Sequence, residues 1–320
     1  MRNLKMTLLT DEQLANIAHD YFLSQMNIAD ISEKYNLSRY LITKSLEDAR
    51  NKGIVKISIA QTPKRSQKLE SEFRKQFNLK EVYILEDLET KNQDNEVIVS
   101  YAAKQIQNYT KSAHVVGLTW GALLRDVIND FSEVNREDLT FVQLLGQAVN
   151  AGKRKNQLVQ EAADKFNAKC LTFPAPLYSV NTSTVTELKK EPFYVHAEEM
   201  FDQLDMVCAS LGTMQSLESN EFFMDNYAKS VLQNVDSHQV AGIVFGRPYD
   251  INGNFYKPIE PHICGINLDT LMQVPNRFII VKNHFKEDAL LGALRGNMIT
   301  HLITNSGIAE QVLRKNKSFS

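Results

Sequence analysis

The stretch HVVGLTWGALL, residues 114–124, combines a strand, a tight turn and a helix start in a way that could bind an anion. The strand is predicted to end at Leu118 and the helix to begin near Gly121. Backbone N–H groups at a helix N-terminus and the Thr119 hydroxyl would then face the same point, where they could hold an anion. A strand–helix turn without a ligand is the alternative. Trp120 could either shelter the pocket or simply pack.

Polar and glycine residues also follow other predicted strands, where ligands of open α/β sheets bind. Glycines in these loops let a ligand approach the backbone, and amide side chains can form hydrogen bonds with it. The candidates are Gly146, Gln147 and Asn150 in one loop, and Gly212 and Thr213 in another. Together with Thr119, they predict a polar ligand at one edge of a sheet.

Three charged residues extend this set of candidates. Arg247 and Asp250 lie close to a turn at Gly253, where they could contact a ligand or pair with each other to brace the turn. Lys286 opens the predicted helix KEDALLGALRG. A lysine near a helix N-terminus interacts unfavourably with the helix dipole, which favours a bound anion opposite Lys286 over a purely structural role.

The residues that could perform acid–base or metal chemistry are dispersed. An aldose–ketose isomerase needs a carboxylate or histidine base at the reacting carbon. Six of the seven histidines are scattered without an adjacent acid in a repeated strand-end motif: His114, His196, His238, His262, His284 and His301. Cys170, Cys208 and Cys264 form no C-x-x-C pair, so free thiols in a reducing cytoplasm are expected. We predict a protein without enzymatic activity, cofactor or metal.

A second functional surface is predicted in IADISEKYNLSRYLITKSL, residues 28–46. Apolar residues at helical spacing are interrupted by Asn36, which tolerates a positive φ, and Ser38, which can cap a following helix. This is the pattern of a helix-turn-helix, in which Ser38 begins a recognition helix. An ordinary helical hairpin is the alternative. The side chains predicted to meet DNA are Ser38, Arg39, Tyr40, Thr43 and Lys44.

Charge is concentrated in the same region. Residues 34–68 contain nine basic residues and two acids, although the whole chain of 320 residues carries a net charge of −2. A basic segment on an acidic body is typical of a polyanion-binding domain joined to a domain of different function. We therefore predict double-stranded DNA as a partner, with lysines outside the recognition helix contacting phosphates.

Three elements in the first sixty residues must position the DNA-contacting side chains. Helices are predicted after the caps Thr10, Asn27 and Ser38, followed by a wing-like strand in IVKISIA, residues 54–60. From residue 69, short apolar runs alternate with helical stretches, which predicts a parallel sheet covered by helices on both faces. The predicted strands are VYIL (82–85), HVVGL (114–118), LTFVQLLG (139–146), KCLTF (169–173), DMVCASLG (205–212), VAGIVFG (240–246), RFIIV (277–281) and THLIT (300–304). The predicted domains are residues 1–60 for DNA binding, 61–68 as a linker, and 69–320 for effector binding and oligomerisation.

The ordered series of motifs HVVGLTWGALL, FVQLLG, FPAPLY, ASLGTM, GIVFGRPYDINGN and KEDALLGALRGNMITHLIT resembles the SorC family of bacterial transcriptional regulators over essentially the whole chain. The resemblance implies a winged helix-turn-helix joined to a Rossmann-like α/β effector domain related to sugar-phosphate isomerases. It also implies a sugar or sugar-phosphate effector, usually bound within a tetramer. Arg247 and Asp250 match residues around the family's pocket, and Lys286 matches its phosphate-contacting lysine.

Several departures from the family pattern fall within the predicted pocket. Lys282 and Asn283 stand where the family usually has a Gly-Gly pair, and Gln147 and Ile243 also replace residues typical of the family. These side chains would narrow the pocket or add polar contacts, so we include Asn283 among the effector-contacting candidates. Lys282 beside Lys286 would strengthen an anion site.

Three functions are consistent with these patterns. The first is a cytoplasmic regulator of a carbohydrate operon, acting as a homodimer or homotetramer and controlled by a sugar phosphate or sugar. The second is a constitutive DNA-binding regulator with a decayed pocket, and the third is a sugar-phosphate isomerase with an accessory DNA-binding domain. No apolar run reaches the ~18 residues of a membrane span. The segment EFFMDNYAKSVL, residues 221–232, could form either a subunit interface or part of the core.

Overall fold

The computed structural model describes residues 9–55, 63–88, 90–147 and 158–318. The chain divides into two compact units, Met1–Thr62 and Pro63–Ser320. The described part of the small unit contains three helices: α1 (Asp11–Phe22), α2 (Ile28–Lys34) and α3 (Arg39–Asn51).

Each helix of the small unit begins at a capping side chain. Thr10 and Gln13 form a capping box at α1, in which the Thr10 hydroxyl accepts from the Gln13 N–H. The Asn27 side-chain oxygen Oδ1 accepts from the Ala29 and Asp30 N–H groups at α2, and the Ser38 hydroxyl accepts from the Leu41 N–H at α3. These bonds satisfy N–H groups that have no partner within the helix. The helix starts predicted from the sequence are therefore confirmed.

A small apolar core holds the three helices together. Its buried members come from all three helices: Leu14, Ile17, Ala18, Ile31, Ile42, Leu46 and Ala49. A buried carboxylate adds a polar link, because Asp20 of α1 accepts from Lys34 Nζ and from the Tyr35 hydroxyl at 2.7 Å each. These contacts fix the crossing of α2 and α3, which form the predicted helix-turn-helix. The predicted wing falls mainly on residues 56–60, outside the described residues.

The turn between α2 and α3 depends on Asn36, whose φ is +50°. An L-residue in this region costs roughly 1–2 kcal/mol, and asparagine is among the types that tolerate it best. We expect Asn36→Ala to lower the free energy of unfolding by about 1 kcal/mol, whereas Asn36→Gly should leave it nearly unchanged. Thermal unfolding followed by circular dichroism would test this, and equal stability of the alanine variant would contradict the role assigned to the turn.

The large unit is built on one seven-stranded sheet in which every neighbouring pair is parallel. The strands of the sheet are β1 (Glu81–Leu85), β2 (Val115–Leu118), β3 (Thr140–Gln143), β4 (Lys169–Leu171), β5 (Met206–Ser210), β8 (Asn276–Ile280) and β9 (His301–Asn305). Across the sheet they are arranged in the order β1-β9-β8-β5-β2-β3-β4. The predicted α/β class with a parallel sheet is confirmed, and each of these strands overlaps an apolar run identified in the sequence.

Helices cover both faces of the sheet and bury two apolar clusters against it. Their bounds are α4 (Gln67–Gln76), α5 (Lys91–Thr110), α6 (Ala122–Asn129), α7 (Leu158–Phe166), α8 (Thr182–Leu188), α9 (Pro192–Phe201), α10 (Met214–Glu218), α11 (Glu221–Asn226), α12 (Ala228–Val231), α13 (Leu268–Gln273), α14 (Glu287–Arg295) and α15 (Ser306–Ser318). Short 3₁₀ turns lie at Ser237–Gln239, Lys257–His262 and His284–Lys286. None of the helices in the described ranges combines the length and hydropathy needed to span a bilayer.

One predicted strand lies elsewhere. The run VAGIVFG does not join the parallel sheet, because β6 (Val240–Val244) pairs antiparallel with β7 (Arg247–Asp250) in a two-stranded ribbon. The tight connection contains Phe245 and Gly246, both at positive φ. A hairpin of this kind follows from the short connection, since parallel strands need a long crossover.

The described residues of the predicted linker, 63–68, belong to the large unit. The Ser66 N–H donates to the Ile84 carbonyl, and the Glu86 N–H donates to the Lys64 carbonyl. Arg65 forms two 2.8 Å bonds with Glu70, which is only 3% exposed. Helix α4 then begins at Gln67.

Candidate functional site

A cavity of about 560 Å³ opens at the carboxyl ends of β2, β5 and β8 in the large unit. These three strands are neighbours in the sheet, so the loops that follow them converge although they are distant in sequence. The loops contribute residues 119–121 and 210–213, together with Lys282, Asn283 and Lys286. The cavity therefore occupies the position at which open α/β sheets bind ligands.

The loop after β2 has the predicted strand–turn–helix form. Gly121 caps α6 with φ +150°, and a Cβ at this position would lie 3.0 Å from Ser210 Oγ. The side chain of Thr119 is buried and its N–H donates to the Cys208 carbonyl. Trp120 lines the cavity and also packs against both apolar clusters. It therefore both borders the pocket and contributes to packing, the two roles considered for it from the sequence.

Two lysines provide the charge of the cavity. Lys286 Nζ donates to the Leu211 carbonyl oxygen at 2.5 Å, and Lys282 Nζ lies 3.4 Å from the Asp126 carboxylate. Burial lowers the pKa of Lys286, and the nearby charge of Lys282 lowers it further. Among the described residues that line the cavity there is neither Asp nor Glu. The cavity thus favours an anionic ligand.

Hydroxyl and amide groups line another part of the cavity. They come from the end of β5, the loop after it, helix α10 and the connection to α11: Ser210, Thr213, Ser216, Ser219 and Asn220. Thr213 and Ser216 form a capping box at α10, with the Ser216 N–H 3.3 Å from Thr213 Oγ1. The sequence prediction included Thr213 and missed the other four. The T-x-x-S spacing of a capping box was the available signal for Ser216.

The remaining lining is largely apolar and comes from separate parts of the unit. The residues are Leu123, Leu145, Leu177, Tyr178, Leu217, Phe223, Ile243 and Phe245. The Tyr178 hydroxyl donates to the Gly246 carbonyl at 2.6 Å, and burial raises its pKa well above the usual range. Tyr178 is therefore a neutral side chain that orders the β6–β7 turn.

The structure brings seven predicted effector candidates to the cavity: Thr119, Trp120, Gly121, Gly212, Thr213, Asn283 and Lys286. Gly146 and Gln147 do not line it. A Cβ on Gly146 would collide with the Pro176 carbonyl, and the backbone of Gln147 pairs with that of Ala175 and Leu177. This pairing places Gly146 against the backbone of the neighbouring loop, whereas the Gln147 side chain is exposed outside the cavity lining. Asn150 lies outside the described residues.

Arg247 and Asp250 are also absent from the cavity lining, and they do not pair with each other. Arg247 is 1% exposed and binds both carboxylate oxygens of Glu260, at 2.6 and 2.7 Å. Its other N–H groups donate to the carbonyls of Phe245 and Ile266. The Asp250 carboxylate accepts from Asn252 and Asn254. Both residues therefore organise the chain around β7.

In the small unit, the predicted DNA-contacting residues share one face of α3. Ser38, Arg39, Tyr40 and Thr43 are exposed, with Tyr40 at 72%, and Lys44 is half-buried. Arg39, Tyr40 and Thr43 border a shallow cleft together with residues 27–29 at the start of α2. Base-edge contact requires exposed side chains of suitable chemistry on the first turns of the second helix of a helix-turn-helix. The guanidinium of Arg39, the ring of Tyr40 and the hydroxyl of Thr43 meet this requirement on α3.

Histidines and cysteines form no candidate centre. Within the described ranges, no group of three His, Cys, Asp or Glu side chains is placed to hold a metal ion. Burial raises the pKa of the Cys208 thiol far above its usual range and that of Cys264 to about 11. His301 is buried between Tyr109 and Phe278, and burial lowers its pKa to about 4. These groups are structural.

Comparisons with known proteins agree with this architecture. Residues 61–314 match the family model described as "Putative sugar-binding domain". The sorbitol operon regulator of Klebsiella pneumoniae is 22% identical over 309 residues, covering 94% of this chain and 97% of that protein. The transcriptional regulator LsrR of Enterobacter sp. (strain 638) is 24% identical over 312 residues, covering 95% of this chain and 94% of that protein.

Solved structures show the same fold. The full-length sorbitol operon regulator SorC of Klebsiella pneumoniae has a TM-score of 0.68 at 22% identity, covering 95% of this chain and 99% of that one. A transcriptional regulator from Streptococcus pneumoniae TIGR4 has a TM-score of 0.72 at 20% identity, covering 78% of this chain and 97% of that one. Because the family model covers residues 61–314, the chain belongs to the sugar-binding domain family, and over its full length it is similar to the SorC regulator.

Proposed function

We propose that the chain is a DNA-binding transcriptional regulator of a carbohydrate-utilisation operon, and that a phosphorylated sugar bound in the large unit sets its affinity for the operator. The observation that carries the proposal is the cavity at the ends of β2, β5 and β8. It combines Lys282 and Lys286 with a wall of hydroxyls, and its described lining contains no carboxylate.

The chemistry of the cavity fits the two parts of a sugar phosphate. A phosphate monoester carries a charge of about −1.5 to −2 at pH 7, which the ammonium groups and the α6 N-terminus can neutralise. Sugar hydroxyls need both donors and acceptors, which Ser, Thr and Asn side chains supply. The leucine and phenylalanine side chains would cover the less polar face of the sugar ring.

The alternatives are less well supported by these residues. A sugar-phosphate isomerase needs a base within hydrogen-bond reach of the reacting carbon, and the described cavity lining supplies neither a carboxylate nor a histidine. A decayed pocket is disfavoured by the room that remains, because Lys282 and Asn283 line the cavity without filling it. We therefore favour a ligand-controlled regulator without enzymatic activity, acting in the cytoplasm where operator DNA is found.

A thermal-shift screen of free and phosphorylated sugars would test the effector class. We expect a phosphorylated sugar to raise the melting temperature by several degrees at 100 times its Kd, since this concentration adds about 2.7 kcal/mol of stability. The unphosphorylated form of the same sugar should give a much smaller shift. A panel in which free and phosphorylated forms act equally, or in which none acts, would contradict the proposal.

DNA recognition is proposed to depend on Arg39, which is exposed on the first turn of α3. Loss of one bidentate arginine–guanine contact costs about 1–3 kcal/mol, so Arg39→Ala should weaken operator binding roughly 10- to 100-fold and relax base preference at one position. The operator sequence would first be identified by selecting DNA that binds the full chain from a random pool, and the affinity and base preference of each variant would then be measured on that sequence. Lys52→Ala is the matched control, because Lys52 follows the far end of α3 and is among the lysines proposed to contact phosphates, so its loss should lower affinity without changing base preference. A base preference that is unchanged in Arg39→Ala, as in the control, would contradict a reading role for Arg39.

We further propose that the protein acts as a homodimer or homotetramer. A helix-turn-helix dimer binds two half-sites whose spacing mirrors that of its recognition helices. The segment 221–232 contributes to the core through Phe223, while Phe222 and Met224 are 39% and 37% exposed. This distribution supports both roles considered for the segment. Sedimentation analysis of the purified chain would give the subunit number.

A further inference from the structure

The start of α15 is covered by side chains from two separate loops. A Cβ at Gly307 would lie 2.6 Å from His284 Cε1 and 2.7 Å from Asp87 Oδ2, so both groups pack directly over this glycine. Asp87 precedes α5 in the chain, and His284 follows β8. Gly307 is therefore the point at which the two loops meet.

One of these loops is bound to the segment that directly follows the DNA-binding unit in the chain. The Asp87 carboxylate accepts from the Gly307 N–H at 2.8 Å, and the Asp87 N–H donates to Ser306 Oγ at 3.1 Å. One residue earlier, the Glu86 N–H donates to the Lys64 carbonyl at 2.9 Å. The position of Lys64 is thus tied to the start of α15 through two consecutive residues.

A buried carboxylate reinforces this pairing. Glu70 binds Arg65 through both oxygens and also accepts from the Ile84 N–H at 3.0 Å. The Ser66 N–H donates back to the Ile84 carbonyl at 2.8 Å. Residues 64–66 consequently behave as an extra edge segment of β1, and a displacement of residues 84–87 must displace them as well.

The other loop belongs to the cavity. His284 opens the 3₁₀ turn His284–Lys286, so only one residue separates the ring over Gly307 from the lysine in the cavity. Lys286 is held by the Leu211 carbonyl and by an N–H bond to the Asn283 carbonyl. An anion that draws Lys286 away from Leu211 would rotate this turn.

We infer that His284, packed over Gly307 beside Asp87, is the positioning residue that transmits the state of Lys286 in the cavity to residues 64–66. The inference rests on the proposed function for its biological meaning, because residues 64–66 follow the DNA-binding unit. Its physical content is a coupling between two loops, and this coupling is measurable without ligand or DNA.

Hydrogen–deuterium exchange of the full chain in a double-mutant cycle would test the inference. Lys286→Ala releases the turn from Leu211. It should raise the exchange rate of the amides in 64–66 and 84–87 at least threefold in the wild-type background. In the His284→Ala background, the same substitution should change these rates less than 1.5-fold. His284 is exposed, so its truncation leaves the core intact.

Two further variants separate packing from general destabilisation. His284→Phe keeps a ring over Gly307 and should retain the threefold response, whereas His238→Ala, at an exposed histidine elsewhere, should not alter it. The amide of Gly212, next to the Leu211 carbonyl, should respond to Lys286→Ala in both backgrounds. Equal responses of residues 64–66 with and without His284, or no response in either, would overturn the inference. A failed sugar-phosphate screen would instead refute the proposed function.

Discussion

Arg247→Ala is expected to lower the free energy of unfolding by about 3 kcal/mol. Removal of one partner from a buried ion pair costs about 3–5 kcal/mol because the other charge is left uncompensated. The lower end applies here, because the Glu260 side chain is 35% exposed and water would partly solvate it. The carbonyls of Phe245 and Ile266 would also lose their donors. For a unit of this size, the melting temperature should fall by roughly 6–12 °C.

Urea unfolding followed by the fluorescence of Trp120, the only tryptophan of the chain, would report on the large unit. Arg74→Ala provides a matched control, because Arg74 pairs with Glu81 at 3.3 Å and both side chains are 41% exposed. Exposed pairs contribute about 0–1 kcal/mol. If Arg247→Ala cost no more than Arg74→Ala, the buried network around β7 would not be a main source of stability.

Lys286→Ala is expected to weaken binding of the phosphorylated ligand by about a hundredfold. Truncation of one partner in a buried, hydrogen-bonded charge pair costs about 2–5 kcal/mol, and a hundredfold change in Kd corresponds to about 2.7 kcal/mol. Lys282→Ala should weaken binding less, by about tenfold, since Asp126 already competes for its ammonium group. Isothermal titration with the sugar phosphate identified in the screen would give both values.

Two controls give this comparison its meaning. Lys229→Ala removes an exposed lysine of α12 outside the cavity and should leave Kd within twofold. The unphosphorylated sugar should bind wild type and Lys286→Ala with similar affinity, because it lacks the anion that Lys286 is proposed to contact. A loss of free-sugar affinity as large as that of the phosphate would show that the variant disturbs the whole cavity.

The affinity should also depend on pH in a defined way. Only the protonated amine of Lys286 attracts the phosphate, and burial together with Lys282 lowers its pKa in the free protein. Binding should therefore weaken with rising pH earlier than for an exposed lysine, and Lys282→Ala should move this decline to higher pH. On the acid side, affinity should fall as the phosphate takes up its proton near pH 6. Binding titrations between pH 5 and 10 would show the loss of affinity at both the acid and the alkaline end.

The parts of the cavity that depend on local chain geometry were predictable from the sequence. The turn at Gly121 and the start of α10 at Thr213 both follow from a strand, a short loop and a capping residue within a few positions. The helix-turn-helix was equally local, because Asn36 and Ser38 determine it together with the apolar spacing. These features require no knowledge of which strands are neighbours.

Contacts between distant residues were not predictable in this way. The ion pair of Arg247 with Glu260 joins β7 to a 3₁₀ turn thirteen positions later, and the sequence instead suggested the nearer Asp250. Similarly, Gly146 looked like a ligand-approach glycine, whereas it allows close contact with the Pro176 carbonyl. Packing between segments that are separated in the chain decided these cases, and no local sequence pattern encodes that packing.

The division of the cavity among three loops has a consequence for how new regulators of this type arise. Each loop is anchored at a strand end in a shared parallel sheet, so substitutions at positions such as 282 and 283 change one wall while the backbone that supports the other two is unaltered. Responsiveness to a new metabolite is therefore accessible through a few loop substitutions, without refolding of the domain. Exchange of residues 282–283 between relatives offers a direct route to biosensors that respond to other effectors.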